Sequence, residues 1–214
     1  MFCPLCNNDV IRHYYADHNR EYRQCDRCRL VFVPPAYHLG AELEKAEYDL
    51  HRNSPDDEGY RKFLSRLYIP ITAKYPALAK GLDFGSGPGP TLSVMLVEAG
   101  YTMDVYDKFY ANDSRVFSLQ YDFITCTEVV EHLSVPGDAF DRLFGMLKPG
   151  GWLGIMTKLV IDKRAFATWH YKNDLTHIAF FSRDTFQWLA DYWSCPLEFI
   201  GKDVILLQKP VVNG

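Results

Sequence analysis

The sequence predicts an α/β fold in which a mostly parallel sheet with flanking helices follows a small N-terminal ribbon. Two C-x-x-C pairs stand within the first 28 residues. An apolar run then ends in a glycine-rich turn at residues 81–90, and further short apolar segments alternate with helical patterns. Such alternation favours a parallel sheet covered by helices, as in Rossmann-like folds.

The composition is ordinary for a globular protein. Hydrophobic residues make up 48% of the 214 positions and charged residues 23%, with a formal net charge of −4. This slightly negative charge argues against a large nucleic-acid-binding surface. Because no apolar run is long enough to span a bilayer and no signal-peptide pattern opens the chain, we expect a cytoplasmic protein without a membrane partner.

Residues 1–37 are predicted to form a zinc ribbon. Cys3 and Cys6 are separated by eighteen residues from Cys25 and Cys28, a spacing that suits four thiolates around one tetrahedral Zn²⁺. Disulfides are the alternative, which a cytoplasmic location disfavours. Four cysteines leave no open position for a substrate, so we expect a structural zinc that folds a segment too short to bury its own core.

Residues 38–75 are predicted to form two helices that cover the open ligand crevice of the sheet. Apolar residues recur at helical spacing in two groups, Leu39, Leu43, Ala46 and Leu50, and then Tyr60, Phe63, Leu64 and Leu67. The polar break between the groups leaves Tyr48, His51 and Tyr60 as candidate substrate contacts. The alternative is a solvated loop between two packing helices.

The glycine-rich turn reads GLDFGSGPGP and joins a strand to a helix. Gly85, Gly87 and Gly89 allow a tight bend and let backbone N–H groups approach a ligand closely. A dinucleotide fingerprint would need a third glycine where Pro90 stands. Asp83, at the end of the strand, would repel a pyrophosphate but suits a ligand that carries an ammonium group.

These residues resemble the first motif of the class I S-adenosylmethionine-dependent methyltransferases. The motif has the form acid-x-Gly-x-Gly-x-Gly, and the matching positions are Asp83, Phe84, Gly85, Ser86, Gly87, Pro88 and Gly89. The resemblance implies S-adenosylmethionine as cofactor, bound at Asp83, Phe84, Gly85, Ser86 and Gly87. The alternative is a glycine-rich turn without a ligand.

Asp107 is the predicted ribose ligand. It ends the short strand predicted at 101–107 and lies twenty residues after Gly87, the spacing expected of the acid that receives ribose hydroxyls. The alternative is a solvent-facing turn residue. Because too few residues separate Asp107 from Tyr121 for a helix, a strand and a second helix, the usual crossover must be shortened here, which leaves the adenine contacts unassigned.

A second stretch, Glu128-Val-Val-Glu-His-Leu, follows the strand predicted at 121–127. In small-molecule methyltransferases of this class, a similar turn lines the cofactor crevice. The resemblance therefore assigns Thr127, Glu128 and His132 to cofactor binding, although His132 can equally cap or pack a helix. An Asn-Pro-Pro-Tyr motif here would have indicated a base or a glutamine as methyl acceptor, and its absence weakens that interpretation.

A loop rich in aromatic residues follows the strand predicted at 152–158. Its Tyr171, Asp174, Thr176 and His177 match a Tyr-x-x-Asp-x-Thr-His segment of related methyltransferases. We expect His177 to act as general base, Asp174 to orient it and Tyr171 to contact the substrate. The alternative is that Asp174 and His177 only cap the turn. A metal site that pairs His177 with His170 lacks an evident third ligand.

The remaining patterns complete the expected domain, which covers residues 76–214. An L-K-P-G-G stop precedes the fifth strand, Ser182 can cap a helix, and two short strands at 197–200 and 204–207 suit a closing antiparallel hairpin. The expected function is S-adenosylmethionine-dependent methylation of a small molecule. Two alternatives stay open: an RNA methyltransferase that binds RNA through the ribbon, and a non-catalytic module that binds the cofactor or docks a partner.

Overall fold

The computed structural model describes residues 1–50 and 53–211, which form two sheets and the helices packed around them. The strands are β1 (Ile11–Ala16), β2 (Glu21–Cys25), β3 (Val31–Phe32), β4 (Lys80–Phe84), β5 (Thr102–Tyr106), β6 (Tyr121–Thr127), β7 (Leu147–Met156), β8 (Ala179–Phe180), β9 (Leu197–Ile200) and β10 (Val204–Gln208). The α-helices are α1 (Ala41–Tyr48), α2 (Glu58–Thr72), α3 (Thr91–Glu98), α4 (Pro136–Met146), α5 (Lys163–Ala167) and α6 (Arg183–Trp193).

The larger sheet has six strands in the order β5-β4-β6-β7-β10-β9. The first four are parallel, and β10 pairs antiparallel with both β7 and β9, which confirms the predicted mostly parallel sheet and its closing hairpin. The chain passes from β4 to β5 on one side and returns to β6 on the other. This reversal creates a crevice at the carboxyl end of β4, the usual ligand position in open α/β sheets.

Helices cover both faces of this sheet because its strands are apolar on both sides. On one face Leu64 and Leu67 of α2 and Leu96 of α3 pack in one buried cluster with Phe123. On the other face α4, α6 and the ribbon enclose a second cluster of buried residues. Across the described residues, no helix combines the length and apolar character that a membrane crossing requires.

The two predicted cover helices both form, but only the second buries the expected leucines. Leu64 and Leu67 of α2 are fully buried, whereas Leu43 and Leu50 at α1 are 63% and 72% exposed. The prediction of an apolar leucine face on α1 is therefore wrong. This short helix contacts the rest of the chain through Tyr48, whose ring lies 5.2 Å from that of His132, and through Glu44, which pairs with Lys108 at 2.7 Å.

The predicted short crossover after β5 is confirmed. Between Asp107 and Tyr121 the chain forms only a 3₁₀ turn at Ser114–Ser118, capped by the Asp113 side chain, which accepts from the Arg115 N–H. Val116 of this turn is buried in the core.

The ribbon forms a four-stranded antiparallel sheet in the order β1-β2-β3-β8. Its fourth strand comes from residues far along the chain, since Val31 and Phe32 pair with Phe180 and Ala179. A second attachment joins the first cysteine turn to α4, where the Gly137 N–H donates to the Pro4 carbonyl at 3.1 Å. These two contacts build the ribbon into the larger domain.

Candidate active site

A cavity of about 400 Å³ lies at the carboxyl ends of β4, β5 and β6. Its wall contains most of the predicted site residues, namely Tyr48, Tyr60, Phe84, Gly85, Ser86, Gly87, Asp107, Thr127, Glu128, His132, Asp174 and His177. The volume is in the range of sites that bind cofactors and small molecules. His51, another predicted contact, lies outside the described residues.

The glycine-rich turn forms one wall of the cavity, and its glycines serve different purposes. Gly85 and Gly87 have φ angles of +77° and +64°, which residues with a Cβ rarely adopt. A Cβ on Gly85 would strike Val129, whereas a Cβ on Gly87 would meet nothing within 4 Å and would project into open space. A Cβ on Gly89 would strike the backbone carbonyl of Asn53 in the cover segment. The turn is therefore open to the cavity at Gly87 and packs against the cover segment at Gly89.

Asp83 lies beneath the turn rather than on the cavity wall. Its side chain accepts hydrogen bonds from Ser93 Oγ at 3.1 Å and Thr125 Oγ1 at 2.8 Å. Burial raises its pKa to about 6, against the effect of these two hydrogen bonds. This placement corrects the expectation of a direct contact with the ligand: Asp83 anchors the end of β4 and acts on the site from below.

Asp107 connects the end of β5 to the glycine turn. Its Oδ2 accepts from the Gly87 N–H at 3.0 Å, and its Oδ1 accepts from the Phe109 and Tyr110 N–H groups at 2.8 and 3.1 Å. An ionised carboxylate has about four acceptor sites, so it can still receive ligand hydroxyls. Asp107 is thus fixed by backbone donors at the cavity wall.

Three aromatic residues beside Asp107, namely Tyr106, Phe109 and Tyr110, line the cavity and were not assigned from the sequence. Tyr106 stacks on the predicted contact Phe84 with ring centroids 5.4 Å apart. The three residues belong to no motif. Their position at the end of β5 was the available signal, since residues at the carboxyl ends of parallel strands line the ligand crevice.

Two hydroxyl groups at the cavity are left without hydrogen-bond partners. Ser86 Oγ and Thr127 Oγ1 are buried and unpartnered among the described residues, and both residues belong to the cavity wall. Buried polar groups are nearly always paired in folded proteins, and leaving one unpaired costs about 1–3 kcal/mol. These hydroxyls therefore mark places where a bound molecule would complete the hydrogen bonding.

The turn after β6 brings two carboxyl groups together. Glu128 lies on the cavity wall with a positive φ of +52°, and its N–H donates to the Met156 carbonyl at 2.8 Å. Glu131 is fully buried and accepts from Thr157 Oγ1 at 3.0 Å and from the Tyr171 hydroxyl. Burial raises the pKa of Glu128 to about 7 and that of Glu131 to about 8, the latter helped by the charge of Glu128.

Tyr171 is placed differently from its predicted role. Only 5% of the residue is exposed, and its hydroxyl donates to Glu131 beneath the cavity floor. The expectation of a substrate contact is therefore corrected: Tyr171 orients the buried glutamate. Glu131 itself was missed by the sequence reasoning, although it stands inside the Glu128–His132 motif.

His177 and Asp174 lie on the cavity wall and belong to the loop before β8. His177 Nδ1 contacts the Tyr171 carbonyl at 2.7 Å, which assigns the proton to Nδ1 and leaves Nε2 with a lone pair. Burial lowers the pKa of His177, partly offset by Asp174, whose Oδ2 lies 3.6 Å from Nε2. Asp174 Oδ1 also accepts from the Thr176 N–H at 2.8 Å, so it caps the turn as well.

His132 stands beside His177, with ring centroids 4.7 Å apart. Its Nδ1 lies 3.2 Å from the Thr176 carbonyl, and burial, with a smaller effect of His177, lowers its pKa to about 3. His170, by contrast, is exposed and contacts Lys158 Nζ at 3.2 Å. The partner of His177 is therefore His132 and not His170.

The cover contributes Tyr48 and Tyr60 to the cavity wall. The Tyr48 hydroxyl donates to Glu44 at 2.8 Å, and Asn53 Nδ2 donates to the Tyr60 hydroxyl at 3.1 Å. Burial raises the pKa of Tyr60 to about 12, so it stays neutral near pH 7. The Tyr60 hydroxyl accepts from Asn53 and keeps its proton for a ligand, whereas the Tyr48 proton is donated to Glu44.

The ribbon holds the loop that carries Asp174 and His177. The guanidinium of Arg20 donates to the backbone carbonyls of Lys172, Asp174 and Leu175 at 2.7, 2.8 and 3.0 Å. The Lys172 ammonium in turn pairs with Asp17 of the ribbon at 3.0 Å. Sequence reasoning gave no sign of this contact, because some 150 residues separate the two segments.

The four N-terminal cysteines converge as their spacing predicts. One sulfur from each of Cys3, Cys6, Cys25 and Cys28 lies within 4.8 Å of the others. The Sγ atoms of Cys3 and Cys28 are 3.5 Å apart, as are those of Cys6 and Cys25. Cys126 and Cys195 lie outside this cluster, and Cys126 is fully buried.

Comparison with known proteins places this site in context. A family model described as a methyltransferase domain matches residues 48–192. The ubiquinone biosynthesis O-methyltransferase of Erwinia tasmaniensis is 30% identical over 79 residues, which are 37% of this chain and 32% of that protein. The corresponding protein of Pseudomonas syringae pv. syringae is 32% identical over 76 residues, covering 35% and 32%. The chain thus matches about a third of the length of these curated relatives.

Solved structures share the fold at low sequence identity. A SAM-dependent methyltransferase from Archaeoglobus fulgidus superposes with a TM-score of 0.55 at 18% identity, covering 78% of this chain and 99% of that one. The 1,6-didemethyltoxoflavin-N1-methyltransferase of Burkholderia thailandensis, solved with 1,6-didemethyltoxoflavin and S-adenosylhomocysteine, gives a TM-score of 0.52 at 14% identity, covering 93% and 99%. At these identities the likeness concerns the fold.

Proposed function

The chain belongs to the methyltransferase domain family, with an S-adenosylmethionine-dependent methyltransferase domain at residues 48–192, and from this premise we propose that it methylates a hydroxyl oxygen of a small molecule. One observation carries the proposal. A single cavity of about 400 Å³ joins the glycine turn and Asp107 to the pair formed by Asp174 and His177. The matched relatives are named as O-methyltransferases, which supports oxygen as the accepting atom.

The cofactor end of the cavity fits S-adenosylmethionine. Asp107 would receive the ribose hydroxyls, and the open space over Gly87 would admit the ligand against the bare backbone. The unpartnered hydroxyls of Ser86 and Thr127 offer hydrogen bonds to its polar groups, with Phe84 and Glu128 also on the wall. His132, also predicted as a cofactor contact, lies on the cavity wall beside His177. Two structures of similar fold support this assignment. One was solved with S-adenosylhomocysteine, and the other is named as a SAM-dependent methyltransferase.

The acceptor end supplies a base. When bound, the cofactor supplies a methyl group on a positively charged sulfur that is already a good leaving group. The chain's task is to align the acceptor oxygen and to remove its proton. Nε2 of His177 keeps a lone pair at the cavity, because Nδ1 is committed to the Tyr171 carbonyl. Asp174 stabilises the protonated imidazole, the Tyr60 hydroxyl can donate to the acceptor, and the Tyr48 oxygen, whose proton goes to Glu44, can accept from it.

The cysteine cluster fits a structural zinc. Tetrahedral zinc with bonds of about 2.3 Å holds its four sulfurs about 3.8 Å apart, close to the 3.5 Å separations found here. Since Cys3, Cys25 and Cys28 are buried, the metal would be shielded from substrates. Its role would be to fold the ribbon, and through Arg20 the ribbon would keep the acceptor loop in place.

Methyl transfer from radiolabelled S-adenosylmethionine to a panel of phenols, catechols and hydroxy acids tests this function. We expect labelled product with at least one acceptor and an activity loss of about a hundredfold in His177→Ala. His170→Ala, which changes an exposed histidine of the same loop, is the matched control and should keep its activity. Transfer to RNA alone, or cofactor binding without transfer to any acceptor, would favour one of the two alternatives over the proposal.

A further inference from the structure

Three side chains that can bind a metal converge at the acceptor end of the cavity. One ligand atom from each of Glu131, His132 and His177 lies within 4.8 Å of the other two. Glu131 and His132 belong to the turn after β6, and His177 belongs to the loop before β8. The two segments are joined by the Ile178 N–H, which donates to the Glu131 carbonyl at 2.8 Å. The cluster is therefore held by backbone contacts and does not depend on the side chains alone.

Both histidines keep one ring nitrogen free to bind a metal. His132 Nδ1 contacts the Thr176 carbonyl at 3.2 Å, and His177 Nδ1 contacts the Tyr171 carbonyl at 2.7 Å. A carbonyl can only accept, so each Nδ1 carries the proton and each Nε2 keeps its lone pair. Metal-binding histidines commonly donate their second nitrogen to a backbone carbonyl in this way, which fixes the ring and its tautomer.

Glu131 supplies an oxygen in a setting that lacks a protein cation. It is fully buried, and its carboxyl group accepts from the hydroxyls of Thr157 and Tyr171. These two bonds leave acceptor capacity on both oxygens. Among the described residues, Glu131 takes part in no salt bridge, so a bound cation would supply the positive charge that its ionised form lacks there.

We propose that Glu131, His132 and His177 bind one divalent transition-metal cation, and that the hydroxyl of the methyl acceptor completes its coordination. Two imidazole nitrogens and one carboxylate oxygen suit Mn²⁺, Fe²⁺, Co²⁺ or Zn²⁺ better than Ca²⁺ or Mg²⁺. Because His132 and His177 lie on the cavity wall, the open positions of the cation face the acceptor. The inference rests on the proposed function and adds the class of acceptor: a molecule with an oxygen that can bind the cation.

The cation would change how the acceptor loses its proton. An oxygen bound to a divalent cation is more acidic than a free hydroxyl, so a weak base suffices. The proton passes to the Asp174 carboxylate on the cavity wall, and the oxygen forms its bond to the methyl carbon as the carbon–sulfur bond breaks, with the electron pair left on sulfur. Nε2 of His177 is then a ligand. It acts as the base only in the cation-free protein.

Titration with Mn²⁺ tests the site on the full-length protein. Mn²⁺ prefers oxygen and nitrogen ligands and competes poorly for four thiolates, so it reports on this cluster and not on the ribbon. We expect electron paramagnetic resonance to show one bound Mn²⁺ per chain, with binding weakened at least about tenfold in Glu131→Gln and in His132→Ala. His170→Ala is the matched control and should bind Mn²⁺ as the wild type does.

Each outcome bears on the proposal. Absence of Mn²⁺ binding to the wild type, or equal binding in Glu131→Gln, His132→Ala and wild type, would overturn the site. Full methyl transfer after the removal of Mn²⁺, with ribbon zinc retained, would overturn its catalytic role. Calorimetry with S-adenosylhomocysteine separates the two proposals. Variants that still bind it are folded, and a wild type that does not bind it refutes the proposed function whatever the Mn²⁺ titration shows.

Discussion

Arg20 in the ribbon donates to the backbone carbonyl of Asp174 at 2.8 Å, across 154 positions of sequence. The same guanidinium holds the carbonyls of Lys172 and Leu175 and is itself 4% exposed. Hydrogen bonds from a buried charged donor are among the stronger ones in proteins. The contact gives the ribbon a definite physical task, which is to fix the loop that presents Asp174 and His177 to the cavity.

Replacing Arg20 should damage stability and acceptor chemistry together. Arg20→Ala leaves three backbone carbonyls without their donor, so we expect a loss of about 3 kcal/mol in the free energy of unfolding. Urea denaturation measures this loss. Arg12→Ala is the control, because the Arg12 side chain is 74% exposed and forms one surface ion pair with Asp26. Equal stability of the two variants would contradict the tethering role of Arg20.

The lowered pKa of Asp17 should make the stability of the protein depend on pH. Burial would raise its pKa, but hydrogen bonds from the Lys172 ammonium and from the Asn19 and Arg20 N–H groups hold it well below the ordinary 3.8. A carboxyl group with a depressed folded-state pKa stabilises the protein above pH 3.8, and this contribution is lost as the pH falls toward the folded-state pKa. The melting-temperature gap between wild type and Asp17→Asn should therefore narrow as the pH is lowered from about 6 to about 3.

Loss of the ribbon metal should lower the melting temperature of the protein. Cys6→Ser takes one thiolate from the four-sulfur cluster, and we expect loss of bound zinc and a lower melting temperature. Cys195→Ser changes a cysteine outside the cluster and should keep both. Elemental analysis and thermal denaturation measure the two effects. A Cys6→Ser protein with full zinc content and an unchanged melting temperature would contradict the zinc assignment.

The absence of a side chain at Gly89 should allow the cover segment at Asn53 to pack against the glycine turn. A Cβ at this position strikes the Asn53 carbonyl, which belongs to the backbone and cannot rotate away. We therefore expect Gly89→Ala to displace the segment that carries Tyr60 and to weaken S-adenosylhomocysteine binding by about tenfold. Gly40→Ala is the control, since a Cβ there meets nothing within 4 Å. Unchanged binding in Gly89→Ala would show that the cover does not shape the ligand site.

The parts of the fold and site that local rules govern were predictable from the sequence. The glycine turn needs positive φ angles at Gly85 and Gly87, and only glycine adopts these at no steric cost. Strand ends place Asp107 and Glu128 at one edge of the sheet, because parallel strands share a direction. The spacing of the cysteines likewise predicted their convergence.

The errors concern side-chain direction and contacts between distant segments. Asp83 and Tyr171 occupy motif positions, but their side chains turn into the protein toward Thr125 and Glu131, which a linear motif does not specify. Leu43 follows a helical pattern, yet α1 finds no apolar surface to cover it. The hydrogen bonds from Arg20 to the loop that carries Asp174 join segments far apart in the sequence, and residue spacing does not reveal such contacts.

Isothermal titration calorimetry with S-adenosylhomocysteine tests the central claim most directly, because it needs no knowledge of the acceptor. We predict one binding site per chain in the wild type, about tenfold or more weaker binding in Asp107→Asn, and unchanged binding in Asp191→Asn, which alters a carboxylate on α6 outside the cavity. A folded wild-type protein that releases no heat of binding, or an Asp107→Asn variant that binds as tightly as the wild type, would contradict the account.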